Sequence, residues 1–385
     1  MNKPKILIAM ITTGNGHKAP AEAIRAGIES LYPNRFAIDV LDFSIAVGNP
    51  TFDKIVKGSW DWLLDNPKVA YWGQKWIDNI VPVKVTRFGQ GKIVRRVAKN
   101  SAKFVLEQNY KLMVSTHYLI LQALAKARRK KKIDIPLVGV NTDPFNGYAL
   151  WAEKHLDEMI VTSQRAKNEL IEFEVPAEKI SIFGYPLGLQ FIDYGLTKEE
   201  ARAKLGLKNK FTIFQSSGGE GIGGQLEDFV KATLGSNLDL QHVVACGRNE
   251  KLYKNLLEIS KRYKTKTKLL PQGFIDNMPD WLAASDLVLG KAGAASTFEP
   301  LSLGRPIFHT SYVAYNEKTN IEYCEEKELS KYISKPDELV SFLKSVISDR
   351  GILKRYEKNI ENENIKPGTL DIAEHLVTKY LNESI

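Results

Sequence analysis

The chain is poor in cysteine and has no long apolar run. Cys246 and Cys324 are its only cysteines in 385 residues. They have no metal-ligand spacing, and so small a supply excludes a disulfide framework and points to a reducing compartment. The first apolar run, Ile6 to Ile11, is far shorter than the ~20 residues a membrane span needs. A glycine turn follows it directly and no small-residue cleavage site appears, so it reads as a buried strand and not as a signal peptide. Low-complexity sequence is absent too. With 43% hydrophobic and 26% charged residues the chain is globular, and its length suits two domains of ~150 residues or more.

Three motif absences narrow the chemistry. The first glycine turn lacks the third glycine of a dinucleotide fingerprint, with Pro20 and Ala21 nearby instead, which disfavours NAD. A second, denser glycine turn lacks the Gly-Lys-Ser/Thr of a P-loop, so ATP hydrolysis is not suggested. No Asp-x-Asp metal motif occurs, and neither a metal nor a cofactor is expected. Acidic residues are missing between Asp78 and Glu107, where Lys84, Arg87, Lys92, Arg95, Arg96, Lys99 and Lys103 all fall. Trp60, Trp62, Tyr71, Trp72 and Trp76 lie just upstream. With a net charge of +9 the chain favours an anionic partner. Aromatics followed by a basic helical segment fit an interfacial membrane contact better than a nucleic-acid reader. The competing reading is a solvated helix face beside an aromatic satellite core.

What is present is alternation. Short runs rich in Ile, Val and Phe alternate with helical patterns, which predicts βαβ units and parallel sheets. The first half has candidate strands at Lys5–Ile11, Phe36–Leu41, Lys111–Val114, Leu137–Val140, Glu158–Val161 and Lys179–Ile182. The second has them at Phe211–Phe214, His242–Ala245, Lys268–Leu270, Leu287–Leu289 and Pro306–Phe308. Between them, Gly184-Tyr185-Pro186-Leu187-Gly188 marks an interdomain break. The expected division is 1–187, 188–365 and a final segment, 366–385. The helix of that segment, near Leu370–Leu381, is a candidate to pack back on the first domain.

The first turn, Thr12-Thr13-Gly14-Asn15-Gly16-His17, links a strand to an amphipathic helix bearing Ala23, Ile24, Gly27, Ile28 and Leu31 on one face, with Pro20 expected in its first turn. Strand, glycine turn and helix N-terminus together form a ligand site, into which His17 would project. The second turn, Gln215 to Gly224, contains Ser217, Gly218 and Gly219, and lets the backbone approach phosphate oxygens. In Leu287 to Glu299, a buried strand ends in the small residues Ala292, Gly293, Ala294 and Ala295. A helix then begins with Ser296 and Thr297 available to phosphate. Glu299, one turn further, is placed to bond ribose hydroxyls, and Lys291 adds a cation. Tyr315-Asn316-Glu317-Lys318-Thr319-Asn320 would set polar groups over a sugar.

These motifs resemble the lipid-directed glycosyltransferases of GT-B fold, which include monogalactosyldiacylglycerol synthase and the processive diacylglycerol glucosyltransferases, and more distantly the N-acetylglucosaminyltransferase that completes lipid II. The resemblance runs from about residue 5 to 345. It is carried by Gly14-Asn15-Gly16-His17, Ala21-Glu22-Ala23-Ile24, Thr142-Asp143-Pro144-Phe145 with Trp151, Gly184-Tyr185-Pro186 and Ser217-Gly218-Gly219-Glu220-Gly221. Cys246-Gly247-Arg248-Asn249, Gly273-Phe274 with Met278, Lys291 to Glu299, and Glu317-Lys318-Thr319-Asn320 complete it. It departs from the family pattern at Asn15, Ala292 and Lys318.

The resemblance implies an α/β chain of two Rossmann-like domains facing across a cleft, and an inverting, metal-independent transfer from a UDP-sugar to a lipid acceptor, diacylglycerol. Either Asp143 or His17 would be the base, and Arg248 would neutralise the diphosphate. Gly14, Asn15 and Gly16 would lie on the acceptor side. The aromatic and basic segment would hold the chain peripherally on the inner face of the cell membrane, with no nucleic acid and no obligate protein partner. A soluble acceptor and a UDP-N-acetylglucosamine 2-epimerase, which shares the fold, are the competing enzymes. A nucleotide- or nucleic-acid-binding protein is the competing non-enzyme.

Overall fold

In the computed structural model, which describes residues 3–216 and 225–382, the chain forms two compact units. The first comprises Met1–Leu189, Val313–Thr319 and Lys366–Ile385; the second comprises Gln190–Tyr312 and Asn320–Ile365.

Each unit is built on one six-stranded parallel sheet. In the first, β1 (Lys5–Met10), β2 (Ala37–Asp42), β3 (Tyr110–Ser115), β4 (Leu137–Val140), β5 (Glu158–Val161) and β6 (Ile180–Ile182) lie in the order β2-β1-β3-β4-β5-β6. Alternation on β1 shows why the run is apolar throughout. Ile6, Ile8 and Met10 join one core with the helix Asn15–Leu31, whereas Leu7, Ala9 and Ile11 join the other core on the opposite face. A parallel sheet covered on both faces demands such continuous runs. In the second unit, β7 (Phe211–Ser216), β8 (Leu240–Ala245), β9 (Lys268–Gln272), β10 (Leu287–Lys291), β11 (Ile307–Ser311) and β12 (Ser330–Tyr332) lie in the order β12-β11-β10-β7-β8-β9. The expected fold class is the observed one. Strand β12 had no apolar run to announce it; only three residues long, it pairs along β11 at the sheet edge.

Pro20 is a correction. The helix begins at Asn15, so Pro20 lies in its second turn and not its first. It denies the Gly16 carbonyl its usual donor, within an otherwise regular helix whose buried face includes Ala21, Ala23, Ile24, Gly27 and Ile28. The helix Thr369–Leu381 folds with the first unit. It meets this face so closely that a Cβ on Gly27 would lie 2.9 Å from the Thr369 carbonyl oxygen.

A second tie holds that last helix. Glu158 on β5 is buried, and its carboxylate accepts hydrogen bonds from His375 Nε2 (2.8 Å), Tyr380 Oη (2.9 Å), Lys379 Nζ (3.1 Å) and Ser181 Oγ. Burial alone would raise its pKa, but the donors together outweigh it and hold the carboxyl below the ordinary Glu value. This stabilisation is therefore complete above the unfolded-state pKa and is lost as pH falls through the lower folded-state one. Glu158→Ala is expected to destabilise the first unit by about 2–3 kcal/mol, from stranded donors and a small cavity, with Lys379 recovering part of its loss in water. Urea unfolding at pH 7.5 checks this. At the other edge of the same tie, Gly184 lies against the returning chain: a Cβ there would be 2.3 Å from the Lys366 carbonyl oxygen.

Among the described residues no helix is long and apolar enough to cross a membrane.

Candidate active site

Open parallel sheets bind ligands beyond the carboxyl ends of their strands, where neighbouring strands connect in opposite directions. In the first sheet that point is between β1 and β3, and in the second between β7 and β10. The loops after β1, β3 and β10 carry residues singled out by their sequence or by their place.

After β1, Gly14 caps the helix with φ +72°, a backbone region glycine enters without penalty. Asn15 and Gly16 are exposed beside it, and His17 is half-buried. His17 Nδ1 lies 2.7 Å from the Thr116 carbonyl oxygen and 3.0 Å from Thr142 Oγ1. A carbonyl only accepts, so Nδ1 carries the proton and Nε2 presents a lone pair. Thr116 Oγ1 donates back to the His17 carbonyl at 2.9 Å, which locks the pair. Burial pushes the His17 pKa below its ordinary 6.5, against the opposing pull of Asp143 and the Thr116 bond. The imidazole is therefore neutral at pH 7.

Asp143 follows β4. Asn141 shapes its turn by accepting the Asp143 N–H at 2.8 Å and donating to the Asn146 carbonyl at 2.8 Å. The carboxylate accepts from Trp151 Nε1 at 2.9 Å and from Asn316 Nδ2 at 2.6 Å, and the Tyr148 hydroxyl bonds it as well. Its oxygens are thus committed, and what it offers His17 is a fixed negative charge. His17 and Asp143, named as alternatives from sequence, stand together in one place, where the charge of Asp143 acts on the His17 ring.

Several partners were not anticipated. His117 caps the helix Tyr118–Lys131 by accepting the Leu119 N–H at Nδ1, and its ring lies 4.5 Å from that of His17. Burial, with His17 adding, holds its pKa well below 6.5. Tyr118 stacks on His117 at 4.7 Å and meets Trp151 edge-on at 5.9 Å. Asp78 accepts the Ala149 N–H at 3.0 Å, and burial, reinforced by Glu169 and Asp143, pushes its pKa up to about 7. Thr116, His117 and Tyr118 immediately follow β3, so the strand-end rule was the signal that could have found them.

The second unit holds the turn that the sequence marks as a candidate to bind an anion. The helix Ala294–Ser302 starts from Gly293 at the end of β10, with its positive end beside Lys291, Ala295 and Ser296. Glu299 is half-exposed by surface area, yet the mass around it pushes its carboxyl up to about 7. Thr297 is a correction: fully buried, its hydroxyl pairs with His309 Nε2 at 3.0 Å, while His309 Nδ1 pairs with Ser330 Oγ at 3.0 Å. That hydroxyl holds the helix to β11 and does not face a phosphate. Asn320 is likewise buried behind the turn, donating to the Ala292 carbonyl at 2.9 Å, so it positions the loop and does not cover a sugar. Glu317, which folds with the first unit, accepts the Val313 N–H at 2.7 Å. Arg248 stacks over Phe274 at 4.7 Å, which brings two expected donor residues together near Gly273 and Met278. Ser217, Gly218 and Gly219 lie outside the described residues.

The aromatic and basic segment divides. Trp62, Trp72 and Trp76 are 54–63% exposed; Trp60 is only half-buried, and Arg95 and Arg96 face solvent. Arg87 is a correction. Its guanidinium bonds the Ala152 carbonyl at 2.6 Å, the Phe173 carbonyl and Glu174 at 2.8 Å, so it braces the fold and is not a membrane contact.

Residues 17–187 match the monogalactosyldiacylglycerol (MGDG) synthase family, and residues 224–351 match the glycosyltransferase family 28 C-terminal domain. Monogalactosyldiacylglycerol synthase 1 of Arabidopsis thaliana is 25% identical over 87% of this chain, which spans only 63% of that relative's length. The processive diacylglycerol beta-glucosyltransferase of Staphylococcus epidermidis is 22% identical over 97% of this chain and 92% of its own. Among solved structures, MurG of Acinetobacter baumannii superposes with a TM-score of 0.63 at 11% identity, over 99% of this chain and 100% of its own. The fold is therefore GT-B.

Proposed function

We propose that this chain, an MGDG-synthase-type domain followed by a glycosyltransferase family 28 C-terminal domain, transfers a hexose from a UDP-sugar to the hydroxyl of diacylglycerol with inversion. The observation that carries the reading is the tautomer lock on His17, with Nδ1–H held by the Thr116 carbonyl and the fixed charge of Asp143 behind it. His17 Nε2 takes the acceptor proton as the hydroxyl oxygen attacks the anomeric carbon. The bond from that carbon to the phosphate oxygen breaks, and UDP leaves with the electron pair. Asp143 steadies the imidazolium formed in that step. Lys291, Arg248 and the start of the 294–302 helix stabilise the departing diphosphate, and the reaction needs no cofactor besides its two substrates.

Glu299 accepts the ribose hydroxyls in this reading, so nucleotide binding favours its ionised form. Because its carboxyl sits at about 7, UDP affinity falls about tenfold from pH 8 to pH 6 beyond the nucleotide's own titration. Calorimetry on the wild type and on Glu299→Gln, which should bind weakly and lose this dependence, tests the donor assignment. Equal pH dependence in both would remove Glu299 from the site.

The acceptor is reached from a membrane surface. Val69, Trp72, Trp76 and Ile80 recur at helical spacing on and just beyond the helix Pro67–Asn79, and all are 49–68% exposed. An apolar stripe left outward in this way suits the interface of a bilayer, with Arg95 and Arg96 against anionic headgroups. The chain would thus act peripherally, on the cytoplasmic face of the cell membrane.

A further inference from the structure

Apart from the residues around His17, the first unit has a cavity of about 330 Å³ between the helices Val83–Ile93 and Tyr118–Lys131 and the segment 153–155. Lys84, Lys92, Lys126, Arg129 and Lys154 converge on it, and Glu153 is the only carboxylate in its wall. Among the described residues Lys92, Lys126, Arg129 and Lys154 have no carboxylate within ion-pair distance. The Lys126 ammonium donates to the Gly91 carbonyl, Arg129 bonds His155 Nε2 at 2.9 Å, and Lys92 lies 4.5 Å over the Phe88 ring. Burial lowers the Lys126 pKa, and the neighbouring charges of Lys130, Arg95 and Arg129 lower it further.

The adjoining hollow is a useful contrast. There Arg128 is paired with Asp157 at 2.6 Å, and Lys179 is tied to the Lys154 and Leu156 carbonyls. Here Lys84 reaches Glu174 at 3.8 Å, while the other four border the cavity beside a single carboxylate, an excess of positive charge that a bound anion relieves. Val85, Phe88 and Ile93, each 56–65% exposed, lie along the helix that forms one wall.

We propose that this cavity is a phosphate-binding site, separate from the acceptor and donor sites, that takes a phosphate monoester or diester. Two sources share that chemistry: a free phosphate, and the headgroup of an anionic phospholipid whose chains would lie over Val85, Phe88 and Ile93.

The test is acylation of lysines in the full chain, read by mass spectrometry with inorganic phosphate, phosphatidylglycerol vesicles or phosphatidylcholine vesicles, against chloride of equal ionic strength. At a ligand concentration about ten times the dissociation constant, Lys126 should react about tenfold more slowly, while Lys130 and Lys131 on the same helix are little changed. Protection by inorganic phosphate assigns the free ion. Protection confined to phosphatidylglycerol assigns the headgroup. Arg129→Gln, checked by thermal melting, should abolish protection in either case. No protection of Lys126 by phosphate or phosphatidylglycerol, or equal slowing of all three lysines, would overturn the site.

Discussion

His17→Ala is expected to lower turnover by about 10²–10⁴-fold, the range that removal of a general base produces. The Michaelis constant for the UDP-sugar should change little, because His17 belongs to the first unit and the donor turn to the second. The pH profile gives a sharper signature. The imidazole must be neutral to take a proton, and burial sets its folded pKa below 6.5. The acidic limb of kcat/KM that belongs to His17 should therefore lie below pH 6.5, with no loss from this group at higher pH. Asp143→Asn removes the charge that favours the imidazolium. It should cost about 10²-fold and move that limb to still lower pH, because the opposing pull on His17 is gone. Both effects are read from UDP release in the presence of lipid acceptor, with circular dichroism to confirm folding. If Asp143→Asn and His17→Ala both kept normal turnover, the assignment would fail.

The second large effect concerns the membrane. Trp72 and Trp76 stand one helical turn apart and are 63% and 56% exposed. Inserting each indole into a bilayer interface is worth about 2 kcal/mol, so changing both to Ser should weaken vesicle binding by two to three orders of magnitude, roughly. Neutralising Arg95 and Arg96 should act differently. At about 1 kcal/mol each it should matter only on anionic vesicles and fade as salt rises. Thermal stability should be little altered in either pair, since these side chains contribute little to the core. Sedimentation with vesicles of phosphatidylcholine, with and without phosphatidylglycerol, separates the two contributions. Wild-type binding that is absent on both would favour a soluble acceptor.

Much of this was legible because parallel sheets write themselves plainly into sequence. A strand buried on both faces has to be apolar throughout, as Ile6 to Met10 is, and the loop after it has to carry the chemistry. That logic reached His17, Asp143 and the Lys291–Glu299 turn. It stopped where a side chain's partner lies far away in the chain. Nothing near Arg87 signals that it will bond the carbonyls of Ala152 and Phe173, so it was read by its charge alone. Thr297 reads as a phosphate ligand until His309, twelve residues on, takes its hydroxyl. Asn316, 173 residues beyond Asp143, completes the carboxylate's set of donors, because Val313–Thr319 folds with the first unit. His117 and Tyr118 were within reach, since they stand at the end of a strand that had been recognised; no family motif drew attention to them.

In the proposed reaction His17 activates a lipid hydroxyl toward a UDP-bound sugar. The most direct test of this is to incubate the purified chain with UDP-hexoses labelled in the sugar, with and without diacylglycerol in mixed micelles, and to resolve the products by chromatography. Label should pass into a neutral glycolipid, with one UDP released per sugar transferred, only when diacylglycerol is present, and His17→Ala should nearly abolish this. Conversion of the UDP-sugar to another water-soluble UDP-sugar without any acceptor would contradict it and identify an epimerase.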